Sequence, residues 1–504
     1  MSGITLTRLC ALLTAVLLAG CNATYDFSLD LGQNGGEDAD EGKARSLTLL
    51  ESSDRPLEVP AVRLPEYRQV TLDNGLQLVL MERHDVPLIG FDVVIRGGSI
   101  ADPDGAAGTG SLLAEWLQKG AGKRNAQQFA AAVEGVGGAF SAGGSLESLR
   151  VSGEFVARDS ALMIELLSDT LMRPVLDTQE FEKLRTRRVE LLRAARDSDP
   201  RALIGTYGSA WLFKDHPYGR AVDGSEASLG QVSPESARRY FLDHVGADRT
   251  IVAVAGDFDS EAMEKALTAA LGGWRRAAAP APTVAAAAPV TGRRVLLVDK
   301  PGATQTYFWI GNVGVARDFD ERAALNLANT VFGGRFTSML NTELRIKSGL
   351  SYGARSRLSR PTQPGSAAIV SFTRTDATGE AIDLALATLE RFRSDGLDDE
   401  TLRSAKTYTL GQFPLGFETS RQLAGQMASL RFYGLDDDYV NDYPGELVAA
   451  DQAGVRRTIS AVYPSLDNLV FVLIGDAEAL GDTPSRYGPV TRVSINAADY
   501  LPES

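Results

Sequence analysis

The segment Gly108-Thr-Gly-Ser-Leu-Leu-Ala-Glu-Trp-Leu-Gln-Lys-Gly120 has the frame of a metal-carrying helix without the metal's ligands. The inverted zinc signature H-x-x-E-H sets two imidazoles at i and i+4 on one helical face. A glutamate between them takes a proton from metal-bound water. Here those places hold Ser111, Ala114 and Glu115. A serine hydroxyl is a poor zinc ligand at neutral pH, alanine cannot act as a base, and one carboxylate cannot make a tight tetrahedral site. The segment therefore predicts a chain with no catalytic metal and no cofactor of its own.

Other chemistries fit these residues less well. Ser111 is not in a G-x-S-x-G elbow, and only three histidines exist to serve it as a base. His84 falls in a turn after a strand, His244 precedes a buried strand and His216 sits in a Pro-Tyr-Gly motif, so each reads as structural. The pairs Gly137-Gly138 and Gly143-Gly144 lack the strand-loop-helix context of a phosphate cradle. They read instead as places where a strand edge approaches another backbone closely.

The elements that must position these residues begin after an export segment. The chain has 504 residues and 44% hydrophobic content, which predicts several globular domains. Its formal charge of -14, with no basic stripe, argues against nucleic-acid binding. Residues 1–21 have a charged start, a short apolar core and Leu18-Ala-Gly-Cys21, the pattern of a lipoprotein signal with Cys21 as the lipidated residue. Asn22 rather than aspartate follows it, which favours the outer membrane and a periplasmic face. Cys10 and Cys21 are the only cysteines, so no disulfide framework is available. Residues 22–64 are polar and acidic, with the run Glu37 to Glu41, and read as a disordered tether.

The rest divides at an Ala/Pro linker, 275–292, into halves at 65–274 and 293–504. Each half opens with an alternating strand, Leu76 to Met81 and Arg294 to Val298, and continues into a helical stretch, Gly108 to Lys119 and Ala323 to Leu344. Each ends in an apolar strand and a Gly-Asp turn, Ile251 to Asp257 and Leu469 to Asp476. This is an internal duplication. Without regular βαβ alternation, it predicts α+β halves with helices packed on mainly antiparallel sheets, the two sheets facing each other across the linker.

In order and spacing, these landmarks resemble the insulinase/pitrilysin-type metallopeptidases, whose members include mitochondrial processing peptidase and bacterial two-subunit forms. The matching residues are Gly108 to Ala121, Gly137 to Ala142, His216-Pro-Tyr-Gly-Arg220, Val254 to Asp257, Phe332-Gly-Gly334 and Leu344 to Tyr352. The resemblance implies a clam-shell of two homologous halves. It places the third zinc ligand at Leu191, with Glu190 beside it, so all three ligand positions depart from the family pattern. A register shift pairing Glu115 with Glu190 would give an oxygen-only site suited to magnesium or calcium. The edge Gly138, Ala139, Phe140, Ser141 and Ala142 would receive an extended peptide as an added strand. Arg345 and Tyr352 match a pair that reaches across to the zinc-bearing subunit, holding the substrate backbone and stabilising the oxyanion. The implied protein is a non-catalytic subunit whose homologous partner carries the zinc, bound to peptide substrates and anchored to membrane by lipid. The alternative is a pseudopeptidase that binds peptides or scaffolds an envelope complex.

Overall fold

The computed structural model describes residues 57, 59–60 and 62–502. Residues 1–21, with Cys21 of the expected lipoprotein signal, and nearly all of the expected tether 22–64 lie outside the described residues. The first half contains strands β1 (Arg68–Thr71), β2 (Gln77–Glu82), β3 (Leu88–Arg96), β4 (Ala139–Gly144), β5 (Ser148–Val156) and β6 (Thr250–Gly256). They form one sheet in the order β1-β2-β6-β3-β5-β4. Its principal helices here are α1 (Thr109–Leu117), α2 (Ser160–Met172), α3 (Thr178–Ser198) and α4 (Ile204–Phe213).

The second half repeats the plan. Strands β7 (Arg294–Asp299), β8 (Gln305–Val313), β9 (Arg355–Leu358), β10 (Ser366–Arg374), β11 (Val470–Gly475) and β12 (Val490–Ser494) form a sheet in the order β9-β10-β8-β11-β7-β12. Helices α5 (Arg322–Asn329), α6 (Thr378–Asp395), α7 (Asp399–Gln412) and α8 (Ser420–Tyr433) accompany it. Five strands correspond in both chain order and sheet order, and β2 with β6 and β7 with β11 are the matching parallel pairs. The sixth differs: β1 is antiparallel to β2, whereas β12 comes from the C-terminus and runs parallel to β7. Most pairs are antiparallel, so the α+β duplication stands as expected from the strand patterns.

The relation between the halves departs from the expectation of sheets facing each other. Each sheet buries one face on its own helices and the other on a helix from the opposite half. Helix α8 lies on the first sheet, where Leu423, Met427 and Leu430 pack against Val79, Val94 and Ile251. Burying each such side chain contributes roughly 1.5–3 kcal/mol. Helix α4 lies on β8 and β11 of the second sheet. Both crossings need glycine at the closest approach: a Cβ on Gly90 would meet the Arg421 backbone at 2.5 Å, and one on Gly208 the Trp309 ring at 2.8 Å. Polar contacts add to the join. Tyr218, from the His-Pro-Tyr-Gly motif, donates to buried Glu147 at 2.6 Å, and Glu147 accepts the Thr362 N–H at 2.9 Å.

A second departure concerns the helix expected from Ala323 to Leu344. Helix α5 stops at Asn329 and passes through a wide turn, Thr330–Gly334, before short helical pieces at Met339–Asn341 and Thr342–Lys347. A Cβ on Gly333 would lie 2.1 Å from the Ser356 nitrogen, so the wide turn after α5 packs directly on β9. Continuing the helix with a larger residue there is sterically barred.

Candidate functional site

Helix α1 runs beneath the edge strand β4, and two devices fix it. At its start, buried Asp102 accepts the Gly108 and Gly110 N–H groups at 2.8 and 2.7 Å, satisfying donors that a helix start leaves free. Burial pushes the Asp102 carboxyl up to about 7, against these two donors, which pull it down. At its end, the Trp116 ring packs on Phe181 of α3 at 4.8 Å, and its Nε1 donates to the Asp177 carbonyl at 2.8 Å. Strand β4 comes so close that a Cβ on Gly144 would lie 2.7 Å from the Ser111 Cα, the tight backbone approach expected of this glycine pair.

Two helical turns beyond Phe181, α3 presents Arg188, 9% exposed, to the positions a zinc site would use. Its guanidinium donates through Nη2 to Glu115 and through Nη1 to Asp223, and Nη1 lies 3.3 Å from the Ser111 hydroxyl. Ser111 in turn donates to Asp223 at 2.9 Å. Ala114 is buried and contributes no polar atom, while Leu191 is 54% exposed and Glu190 points outward as an exposed residue. The residues do not fit zinc: a fixed cation already holds the available carboxylates, and a second cation placed there would be repelled. The Glu115–Glu190 pair is not formed either. Among the described residues no group of three His, Cys, Asp or Glu could hold a metal.

The other expected residues fall into separate places. Glu115, Arg188 and Asp223 line a cavity of about 600 Å³ between the halves. Glu115, Leu191 and Ala142 also share a smaller recess of about 320 Å³. Gly138 precedes β4 and meets the Phe155 ring. Ala139 and Ser141 are exposed on β4, and Phe140 packs between Phe91 and Phe129. Arg345 and Tyr352 lie together in another cavity, of about 930 Å³, with the guanidinium 4.4 Å from the phenol ring centre. The two large cavities flank the start of α4, sharing Ala202, Gly205 and Thr206 as walls. Two of the three histidines hold contacts within the fold: His84 bridges Glu82 and Asp257, and His216 bonds the carbonyl of Ala285 in the 275–292 segment; His244 stacks on Tyr240 with its Nδ1 buried and unpartnered among the described residues.

Sequence reasoning missed Arg188 and Asp223. The signal was present in Arg185-Thr-Arg-Arg188, one turn before Leu191, as a cation available to a lone Glu115. Its pairing is long-range, however, and no local pattern reveals it.

Comparison with known proteins identifies the family. Residues 79–225 match the family model "Insulinase (Peptidase family M16)", and 231–408 match the "Peptidase M16 inactive domain". An uncharacterized zinc protease of Mycobacterium leprae is 27% identical, covering 72% of this chain and 82% of that protein. The non-peptidase homolog YmxG of Helicobacter pylori is 22% identical, covering 85% and 98%. The crystal structure of a peptidase M16 inactive domain from Pseudomonas fluorescens has the same fold, with TM-score 0.76, 19% identity and coverage of 82% and 98%. The fold and site define a two-half clam-shell of the peptidase type whose own metal position is closed. The chain belongs to the insulinase family, peptidase family M16, with its residues 231–408 matching that family's inactive domain.

Proposed function

We propose that the chain is the non-catalytic subunit of a two-chain M16 metallopeptidase, completing a zinc-bearing homologue's active site and binding extended peptide substrate. The observation that carries this reading is the state of Arg345 and Tyr352. Tyr352 is 72% exposed, and neither side chain makes a hydrogen bond among the described residues. Such a pair is free to act on another chain. The guanidinium offers fork donors to substrate carbonyls, and the phenol a donor to the oxygen that gains negative charge. Metal chemistry would be supplied wholly by the partner, and Cys21 would anchor the complex by lipid at the periplasmic face of the outer membrane.

The test is peptidase turnover by the chain alone and mixed with a homologue carrying an intact H-x-x-E-H. Activity should arise only in the mixture, and Arg345→Ala should lower turnover by roughly 100-fold, the scale of losing one transition-state donor, with assembly kept. Unchanged kinetics in that variant would remove the assignment.

The similarity to a non-peptidase homolog, and over 225 residues at 27% identity to human cytochrome b-c1 complex subunit 1, supports a second reading. In it the chain binds peptides or scaffolds an envelope complex without hydrolysis. A mixture that assembles with no turnover would favour it.

A further inference from the structure

We propose that the larger cavity selects acidic peptide segments, which it pairs with the free edge of β9; this rests on the peptide-binding reading above. The cavity is lined by Arg201, Arg335, Arg345, Arg355 and Arg357, while Asp199 is the only acid on its wall. None of the five makes an ion pair with a carboxylate among the described residues. About half of the described arginines do pair with a carboxylate, as Arg188, Arg196 and Arg322 do with Glu115, Glu226 and Glu446. Like charges gathered in one hollow repel one another, and the repulsion is relieved by an anion.

Two of these side chains are held by rings rather than by acids. Arg201 lies over Phe372 at 5.2 Å, and Arg345 over Phe336 at 4.8 Å. Such stacking orients a guanidinium while leaving its in-plane donors open for a carboxylate. Arg335 is half-buried, with one contact to the Ser404 hydroxyl at 3.0 Å, and its Nε is buried without a hydrogen-bond partner among the described residues.

The ligand's backbone is argued from β9. It is the outermost strand of its sheet and pairs with β10 alone. Arg355 and Arg357 are exposed on either side of buried Ser356, so both project to one face with the strand's period of two. A peptide added along this edge gains main-chain hydrogen bonds, and side chains at alternate positions meet the two guanidiniums. A nucleic-acid strand has no such ladder to offer, and the chain's net charge of -14 repels a long polyanion.

The test uses the full chain and two fluorescein-labelled extended peptides that differ only in Glu against Gln, read by fluorescence anisotropy. The Glu peptide should bind about tenfold tighter or better, from charge-assisted contacts, and weaken as salt rises. The double variant Arg355→Ala/Arg357→Ala, with Arg345 and Tyr352 intact, should erase that preference. Should the double variant misfold by circular dichroism, Arg201→Ala, another arginine of the cavity wall, should reduce the preference in its place. Equal affinity for both peptides would overturn acid selectivity and leave peptide binding standing. Binding of neither peptide would overturn both readings. Tighter binding of an oligonucleotide of matched charge would overturn the proposal in favour of a nucleic-acid ligand.

Discussion

The two halves place a helix under the edge strand of matching sheets, yet treat charge in opposite ways. Beneath β4, Arg188 is matched by Glu115 and Asp223, and its hydrogen bonds are spent within the chain. Beneath β9, arginines gather with Asp199 as the only acid on the cavity wall. The difference teaches that a duplicated scaffold fixes where a site lies and leaves side chains to decide its use. A cavity whose charges satisfy one another has little left for a ligand; one with unpaired like charge is incomplete without a ligand.

The comparison can be broken most forcefully through the scaffold of the second cavity. Gly333→Val should destabilise the chain by about 3 kcal/mol, because the added side chain drives the Thr330–Gly334 turn off β9. Thermal unfolding measures this, and loss of peptide binding should accompany it. Next is Arg188→Met, which leaves two carboxylates and Ser111 without their cation. Both acids reach solvent, at 34% and 64% side-chain exposure, so screening limits the cost to about 2 kcal/mol by denaturant titration. An unchanged midpoint would mean that Arg188 does not close the site.

A smaller effect should appear with pH. Burial raises the Asp92 carboxyl to about 6, outweighing the ion pair and hydrogen bond from Arg150 at 2.8 Å. A carboxyl with a raised folded pKa holds its proton more tightly when folded. That stabilisation is full below the unfolded value near 3.8 and is lost as pH rises through about 6. Asp92→Asn should flatten the fall between those values, an effect on the order of 1 kcal/mol. Least of all, Arg355→Ala/Arg357→Ala should leave stability within about 0.5 kcal/mol, since neither side chain has a hydrogen-bond or ion-pair partner among the described residues. Arg188 and this pair thus separate an arginine used for folding from arginines kept for binding.

Much of this was legible in the sequence. Alternation from Leu76 to Met81 gave β2 almost to the residue, and Gly108 to Lys119 gave α1, because both patterns are local. The duplication was visible for the same reason. The exchange of α4 and α8 was not. Ile204 to Phe213 is apolar nearly all round, which marks a helix buried between layers but cannot say whose sheet it meets. Gly208 acquires meaning only against Trp309, and Arg188 only against Glu115 and Asp223, partners that topology brings together. Ser111, Ala114 and Leu191 are poor or impossible zinc ligands by residue type alone, which is legible without a structure. What stands in the metal's place is a fact of three dimensions.

The most direct measurement is zinc bound per chain, by elemental analysis of the purified full chain after exposure to excess zinc, with thermal unfolding followed in zinc and in chelator. No bound zinc and the same unfolding midpoint in both conditions is the expected result. One zinc per chain, lost on Glu115→Ala and accompanied by a higher midpoint, would contradict the closure of the site by Arg188.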